Sequence, residues 1–148
     1  MYTNHDLARL NMLFKSSAIG DLQVSYKTHL ALNKIAQAIE TELKPVAEVE
    51  KKYIEDGQAD ELYQEFIAGQ NQLRKEHPDD AGAYLAQYVM EHKGLIADQE
   101  ERAQQFQDAL NAESNIEIEL LKEEDHPDLF AADLTNSEWS VLGLVLEK

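Results

Sequence analysis

Five histidines, His5, His29, His77, His92 and His126, are the side chains best suited to proton transfer or metal ligation at neutral pH. None stands in an H-E-x-x-H, no two lie at i and i+4, and the chain has no cysteine to complete a zinc site. His92 falls on the apolar stripe of a predicted helix and reads as a core-edge side chain. His77 and His126 each precede a proline at a segment boundary and read as exposed. The densest set of oxygen ligands, Glu123-Glu124-Asp125-His126-Pro127-Asp128, lacks the alternating order, the glycine and the later glutamate of a calcium loop, so it reads as a solvated acidic turn. Glu61 and Glu65 lie one helical turn apart, as carboxylates of di-metal bundles do, but the paired Glu-x-x-His element is missing. No serine occupies a G-x-S-x-G, and the six glycines are isolated, which leaves no phosphate cradle. Tyr84, Tyr88, Phe106 and Trp139 could stack on a base, yet their helical spacing assigns them to packing. The residues therefore predict no enzyme, no metal and no cofactor.

Charge is the stronger signal. The net charge is −16 over 148 residues; residues 1 to 56 carry seven Lys/Arg against eight Asp/Glu, and residues 57 to 148 carry six against twenty-one. A field of this sign repels phosphate backbones, which predicts no direct nucleic-acid binding; it either favours a basic protein partner or serves solubility through colloidal repulsion. The carboxylates expected to form that partner surface are Asp60, Glu61 and Glu65, then Asp79, Asp80 and Glu91, then Asp98, Glu100 and Glu101. An anionic ligand would instead need a local basic pocket, for which Arg9, Lys15, Lys27 and Lys34 are the available cations.

These side chains must be carried by helices. From Ser25 to Asp56 the apolar residues Leu32, Ile35, Ile39, Leu43, Val46, Val49 and Tyr53 recur every three or four positions, one stripe of a long amphipathic helix. Pro45 predicts a kink or break near Thr41 to Lys44, and Gly57 a stop. A first helix is predicted from Asn4 to Lys15, capped at Thr3 or Asn4. Ser16 to Asp21 reads as a turn and Leu22 to Val24 as a very short strand. Further helices are predicted from Asp60 to His77 and from about Asp80 to Ala112, the second weakened in its middle by Gly94. Asn115-Ile116-Glu117-Ile118-Glu119-Leu120 alternates with period two, the mark of a strand with one buried face. Its partner would be Leu22 to Val24, Leu129-Phe130, or the same strand of a second subunit. Thr135 and Glu138 have capping-box spacing and open a short C-terminal helix through Trp139, Leu142, Val145 and Leu146.

The fold class expected is mainly α: a bundle of long helical hairpins with one short strand or small β element near the C-terminus and a C-terminal capping helix. The 43% apolar content supports a single domain over residues 1–148, with residues 57–104 as an acidic two-helix insertion. A long striped helix and a lone strand both seek partners, which predicts a homo-oligomer, most simply a two-fold dimer. With no apolar run of membrane length and no secretory leader, the expectation is a soluble, cytoplasmic protein without membrane association.

Two parts of the chain resemble a family of small uncharacterised proteins of tailed bacteriophages and prophages. The first is the segment Asp6-Leu7-Ala8-Arg9-Leu10, the link ending Leu22-Gln23-Val24, and the long helix from Leu30 to Glu42 closing at Lys51-Lys52-Tyr53. The second runs from the Phe106 helix through Leu110-Asn111 and the Ile-Glu-Ile-Glu segment to the leucine-rich helix that follows Leu134-Thr135. The likeness covers residues 5–56 and 105–147, and residues 57–104 have no counterpart in it. It implies a phage accessory protein in the host cytoplasm that acts by binding a host factor, such as a defence component. Two alternatives remain open: a virion structural or assembly chaperone, and a sponge for a defence signal nucleotide.

Overall fold

The computed structural model describes residues 1–148. The chain is mainly α-helical: α1 Asn4–Lys15, α2 Ser17–Gly20, α3 Tyr26–Glu42, α4 Lys44–Ala59, α5 Glu61–Glu76, α6 Ala81–Glu91, α7 Lys93–Asn111, α8 Pro127–Phe130 and α9 Asn136–Leu142, closed by a 3-10 turn at Gly143–Val145. No helix is long and apolar enough to cross a membrane. In place of the single domain with an insertion at 57–104, backbone contacts divide the chain into two compact units, Met1–Val46 with Leu110–Lys148, and Ala47–Ala109. The inserted unit thus begins earlier, ends later, and holds most of four helices rather than two. The charge divides differently as well. The first unit carries seven Lys/Arg against fourteen Asp/Glu, net −7, and the second six against fifteen, net −9, so both are acidic.

The first unit is built from both ends of the chain around an aliphatic core. Thr3 caps α1 in a reciprocal box with Asp6: the Asp6 N–H donates to Thr3 Oγ1 at 3.1 Å and the Thr3 N–H to Asp6 Oδ2 at 3.0 Å. Leu7, Leu10 and Leu13 then recur on one face, and α1 packs against α3 and α9. Thr28, Leu32, Ile35 and Ile39 bury the facing stripe of α3. Leu129, Leu142 and Val145 complete the core with no exposed surface. The Tyr2 hydroxyl donates to the Leu144 carbonyl at 2.7 Å; burial first, and the Asp6 carboxylate second, raise this phenol above its ordinary value of 10.0 and keep it a donor.

The break expected around Pro45 falls at Leu43. Pro45 stands in the first turn of α4, where its missing N–H has no helical acceptor to lose. Gly57 does not end that helix, which runs on to Ala59; Asp60 opens the next one. Ser17–Gly20 is one helical turn rather than a plain turn, and Leu22 to Val24 forms no strand.

Asn115 to Leu120 is extended, with Ile116 and Ile118 half-buried and the glutamates outside, as its alternation requires, yet it joins no sheet. Neither Leu22 to Val24 nor Leu129-Phe130 pairs with it. Two isolated bridges hold the neighbouring residues instead, Thr3 with Glu113 antiparallel and Leu121 with Leu146 parallel.

The second unit has little core in the ordinary sense. Phe66 is its one buried hydrophobic side chain, in a ladder of rings: Tyr63 at 6.3 Å, Tyr88 stacked at 5.2 Å and His92 tilted at 5.3 Å. At Gly69 the α5 backbone meets Tyr88 so closely that a Cβ there would stand 2.7 Å from the ring carbon Cζ. His77 stacks on Tyr84 at 3.7 Å across the α5–α6 turn, and Tyr53 of α4 stacks on Phe106 of α7 at 5.8 Å.

The long helix expected from Asp80 to Ala112 is broken at His92. Its Nδ1 donates to the Tyr88 carbonyl at 2.7 Å, so its own backbone N–H turns to Val89 at 3.1 Å. A side chain that competes for the carbonyl four residues back ends the helix, two residues before the glycine on which the sequence places its weak point.

Candidate functional site

Both units carry concave surfaces on which charged and apolar side chains meet, the second unit also between Ala47 and Gln58 of α4. In the first unit a groove of about 390 Å³ lies between α3 and the extended segment that follows Ser114. The Ser114 hydroxyl donates to Glu42 at the C-terminal end of α3 at 2.7 Å, while Lys27 at the other end pairs with Asp125 at 3.5 Å. The segment therefore runs antiparallel to the helix. Ala31, Ile35 and Ala38 recur along the helical wall, and Ile118, Leu120 and Leu121 supply apolar surface opposite.

One end of this groove is fixed by a hydrogen-bonded cluster that the sequence does not announce. The Asp128 carboxylate accepts from the Ser25 N–H at 2.6 Å, from the Thr28 hydroxyl at 3.0 Å and from the Leu129 N–H at 2.9 Å. The Ser25 N–H above all, outweighing partial burial, and then the Thr28 and Leu129 donors hold this carboxyl below its ordinary value of 3.8. An ionised Asp128 can only accept, so the single Thr28 hydroxyl hydrogen is committed to it. Thr28 Oγ1 also accepts from Ser25 Oγ at 3.1 Å, and His126 Nδ1 lies 3.0 Å away and must be its second donor. That places a proton on His126 Nδ1, with the ring on the groove wall. His126, read from sequence as exposed, is 6% exposed. The cluster cannot activate Thr28 as a nucleophile, because the imidazole nitrogen beside it already carries a proton. Its work is to clamp the Asp125–Leu129 turn onto the start of α3.

In the second unit a groove of about 360 Å³ opens over the ring ladder. Phe66, Tyr88 and His92 line it together with Leu62 and Leu95, and Glu65 and Glu91 supply its charges. Leu62 is 68% exposed beside it. Aromatic rings beside two carboxylates are a lining that suits an alkyl-ammonium or guanidinium group, through ring-quadrupole attraction and charge-assisted hydrogen bonds.

No family model matches the chain, no curated protein matches it, and no solved structure matches its fold.

The nine carboxylates expected to form one surface separate into three kinds. Asp60 is structural: it caps α5 by accepting the Tyr63 N–H at 3.1 Å and pairs with Arg102 at 2.7 Å, both side chains largely shielded. Glu65 and Glu91 come together at the groove although they stand on different helices. Glu61, Asp98, Glu100 and Glu101 are exposed along α5 and α7, while Asp79 and Asp80 are exposed at the α5–α6 turn, where Asp80 lies 3.5 Å from His77 Nδ1.

Of the four cations expected to form an anion pocket, Lys27 and Lys34 share the first unit's groove with Glu117, Glu119 and Asp125. Arg9 is exposed on α1 outside it, and Lys15 stands 3.9 Å from Glu40. No three His, Asp or Glu side chains are gathered in a metal-holding arrangement.

Proposed function

We propose that this chain is a non-catalytic binding protein whose inserted helical unit docks on a basic protein surface. The observation that carries the reading is the groove in which Glu65 and Glu91 flank Phe66, Tyr88 and His92 beside the exposed Leu62. A lysine or arginine of the partner enters over the rings, its alkyl stem covering Leu62 and its charge meeting the carboxylates. The outlying Glu61, Glu100 and Glu101 add long-range attraction rather than contact energy. The resemblance to phage accessory proteins supports a host factor as the target, with a defence protein that normally holds nucleic acid as the natural kind of basic surface.

Titration with an arginine-containing peptide, followed through the ring resonances of Tyr88 and His92, tests the pocket. Those rings should shift, and Glu65→Gln/Glu91→Gln should weaken binding about tenfold, which corresponds to about 1.4 kcal/mol. Binding should also fall steeply between low and moderate salt. Rings that stay unmoved at saturation would remove the reading. Affinity purification from infected cells separates the host-directed role from virion assembly, since a virion protein retained equally by wild type and the double variant favours the latter.

A further inference from the structure

The extended segment of the first unit is tied down at both ends and free between them. At Ser114 the backbone N–H donates to the Tyr2 carbonyl at 2.8 Å and the hydroxyl holds Glu42. At Leu121 the N–H donates to Val145 at 2.8 Å, and the carbonyl accepts the Glu147 N–H at 2.8 Å. Between these anchors the N–H and C=O groups of Glu117, Ile118, Glu119 and Leu120 make no hydrogen bond within the chain. The residues that pair with Leu121 cannot extend the ladder over this stretch, because Gly143–Val145 immediately before them is wound into a 3-10 turn. The result is a short strand already extended, alternating and held in place, with its pairing edge unused beside an apolar groove.

We infer that this edge receives an extended segment of another protein in which apolar residues alternate with lysine or arginine, adding a strand along Glu117 to Leu120. Backbone pairing supplies the attachment, and alternate apolar side chains of the incoming strand enter the groove against Ala31, Ile35 and Ala38.

Charge decides the occupant. In an antiparallel pair, directly opposite residues point to the same face. A second copy paired in any register that keeps its apolar face inward therefore sets Glu117 or Glu119 against a glutamate of the other copy. Like charges directly opposite are destabilising. A basic residue at those positions converts each repulsion into an ion pair. The other charges near the groove are already answered, Lys27 by Asp125 at 3.5 Å and Lys122 by Glu147 at 3.8 Å, so the two glutamates and Lys34 are what an incoming chain meets. The glutamates sit on the strand itself, where cross-strand neighbours are fixed by pairing. This surface belongs to the first unit and does not depend on the Glu65/Glu91 groove.

The probe is a synthetic eight-residue peptide alternating valine with arginine, compared with one alternating valine with glutamate and with a copy of the arginine peptide N-methylated at every second amide, prepared in both phases. Each is titrated into the full chain while amide exchange is followed. The arginine peptide should bind and slow exchange at the N–H groups of Glu117 to Leu120 at least tenfold. The glutamate peptide should bind at least tenfold more weakly, and one N-methylated phase should lose binding while keeping its charge. Glu117→Lys/Glu119→Lys, at two exposed positions, should reverse the preference as read at these same amides. Binding by both N-methylated peptides as tight as by the parent, unprotected amides at saturation, or a dimer in light scattering whose interface protects the same amides would each overturn the assignment.

Discussion

In the unit made from the two chain ends, the side chains withdrawn from water are aliphatic; in the inserted unit the one such hydrophobic side chain is Phe66. Thirteen of the fourteen buried hydrophobic residues lie in the first unit, and six of them have no exposed surface, so burial there is shared. The inserted unit relies on stacked rings, a close helix contact at Gly69, and the Asp60–Arg102 pair. The difference teaches that helical patterning alone does not set how a unit is stabilised. Both regions show amphipathic stripes and both leave some large apolar side chains at the surface, Met12, Tyr26 and Leu30 in the first and Leu62, Met90 and Ile54 in the second, but only the first also buries a full set of aliphatic side chains. The region with the sparse core opens locally at lower cost than the region with the dense one.

The largest effect that sharpens this contrast is expected at Phe66. Phe66→Ala should cost about 3–5 kcal/mol and, with no other buried side chain to share the loss, should melt the inserted unit while the first remains folded. Residue-resolved hydrogen exchange reads this directly, and uniform loss of protection across both units would break the comparison. Leu10→Ala, in the shared core, should cost about 2–4 kcal/mol and lower the first unit's melting transition without abolishing its helices. At Gly69, replacement by valine drives a side chain into Tyr88 and should cost about 1–3 kcal/mol, visible in denaturant titration together with loss of the Tyr88–Phe66 ring-current shifts. The smallest effect is a pH dependence confined to the first unit. The Asp128 carboxyl titrates below its ordinary value when folded, so its contribution is complete above 3.8 and disappears as pH falls from there through the folded value. Acid titration should accordingly show a steeper loss for wild type than for Asp128→Asn in that window.

Local signals were legible in the sequence. The box Thr135–Glu138 sits where a helix-start pattern puts it, and of the two caps open for α1, Thr3 and Asn4, Thr3 is the one used, because a cap is decided within four residues. The interruption ahead of Pro45 is legible for the same reason. What the alternation of Ile116 to Leu120 encodes is which side faces the core; whether a neighbouring strand exists depends on distant chain, and none arrives. His126 illustrates the limit most clearly. A histidine before proline in an acidic run looks solvated, and its burial follows from Thr28, ninety-eight positions earlier in the chain. The break at His92 depends on the rotamer of one imidazole, which periodicity does not encode. Among the carboxylates, composition could nominate Asp60 and Glu65 alike, but only the fold separates a helix cap paired to Arg102 from a side chain open to a partner.

The division of the chain also orders its synthesis. Because Leu142 and Val145 belong to the same core as Leu7 and Leu10, that core cannot close until they have left the ribosome. Residues 47–109, whose contacts are mostly among themselves, have by then all emerged. Once they fold, the two stretches that must meet are joined by a structured body rather than a loose loop of more than sixty residues, and the entropy of closing that loop has largely been met in advance. The length of chain that the first unit must close is in this sense set by the span of the inserted unit rather than by the number of its residues.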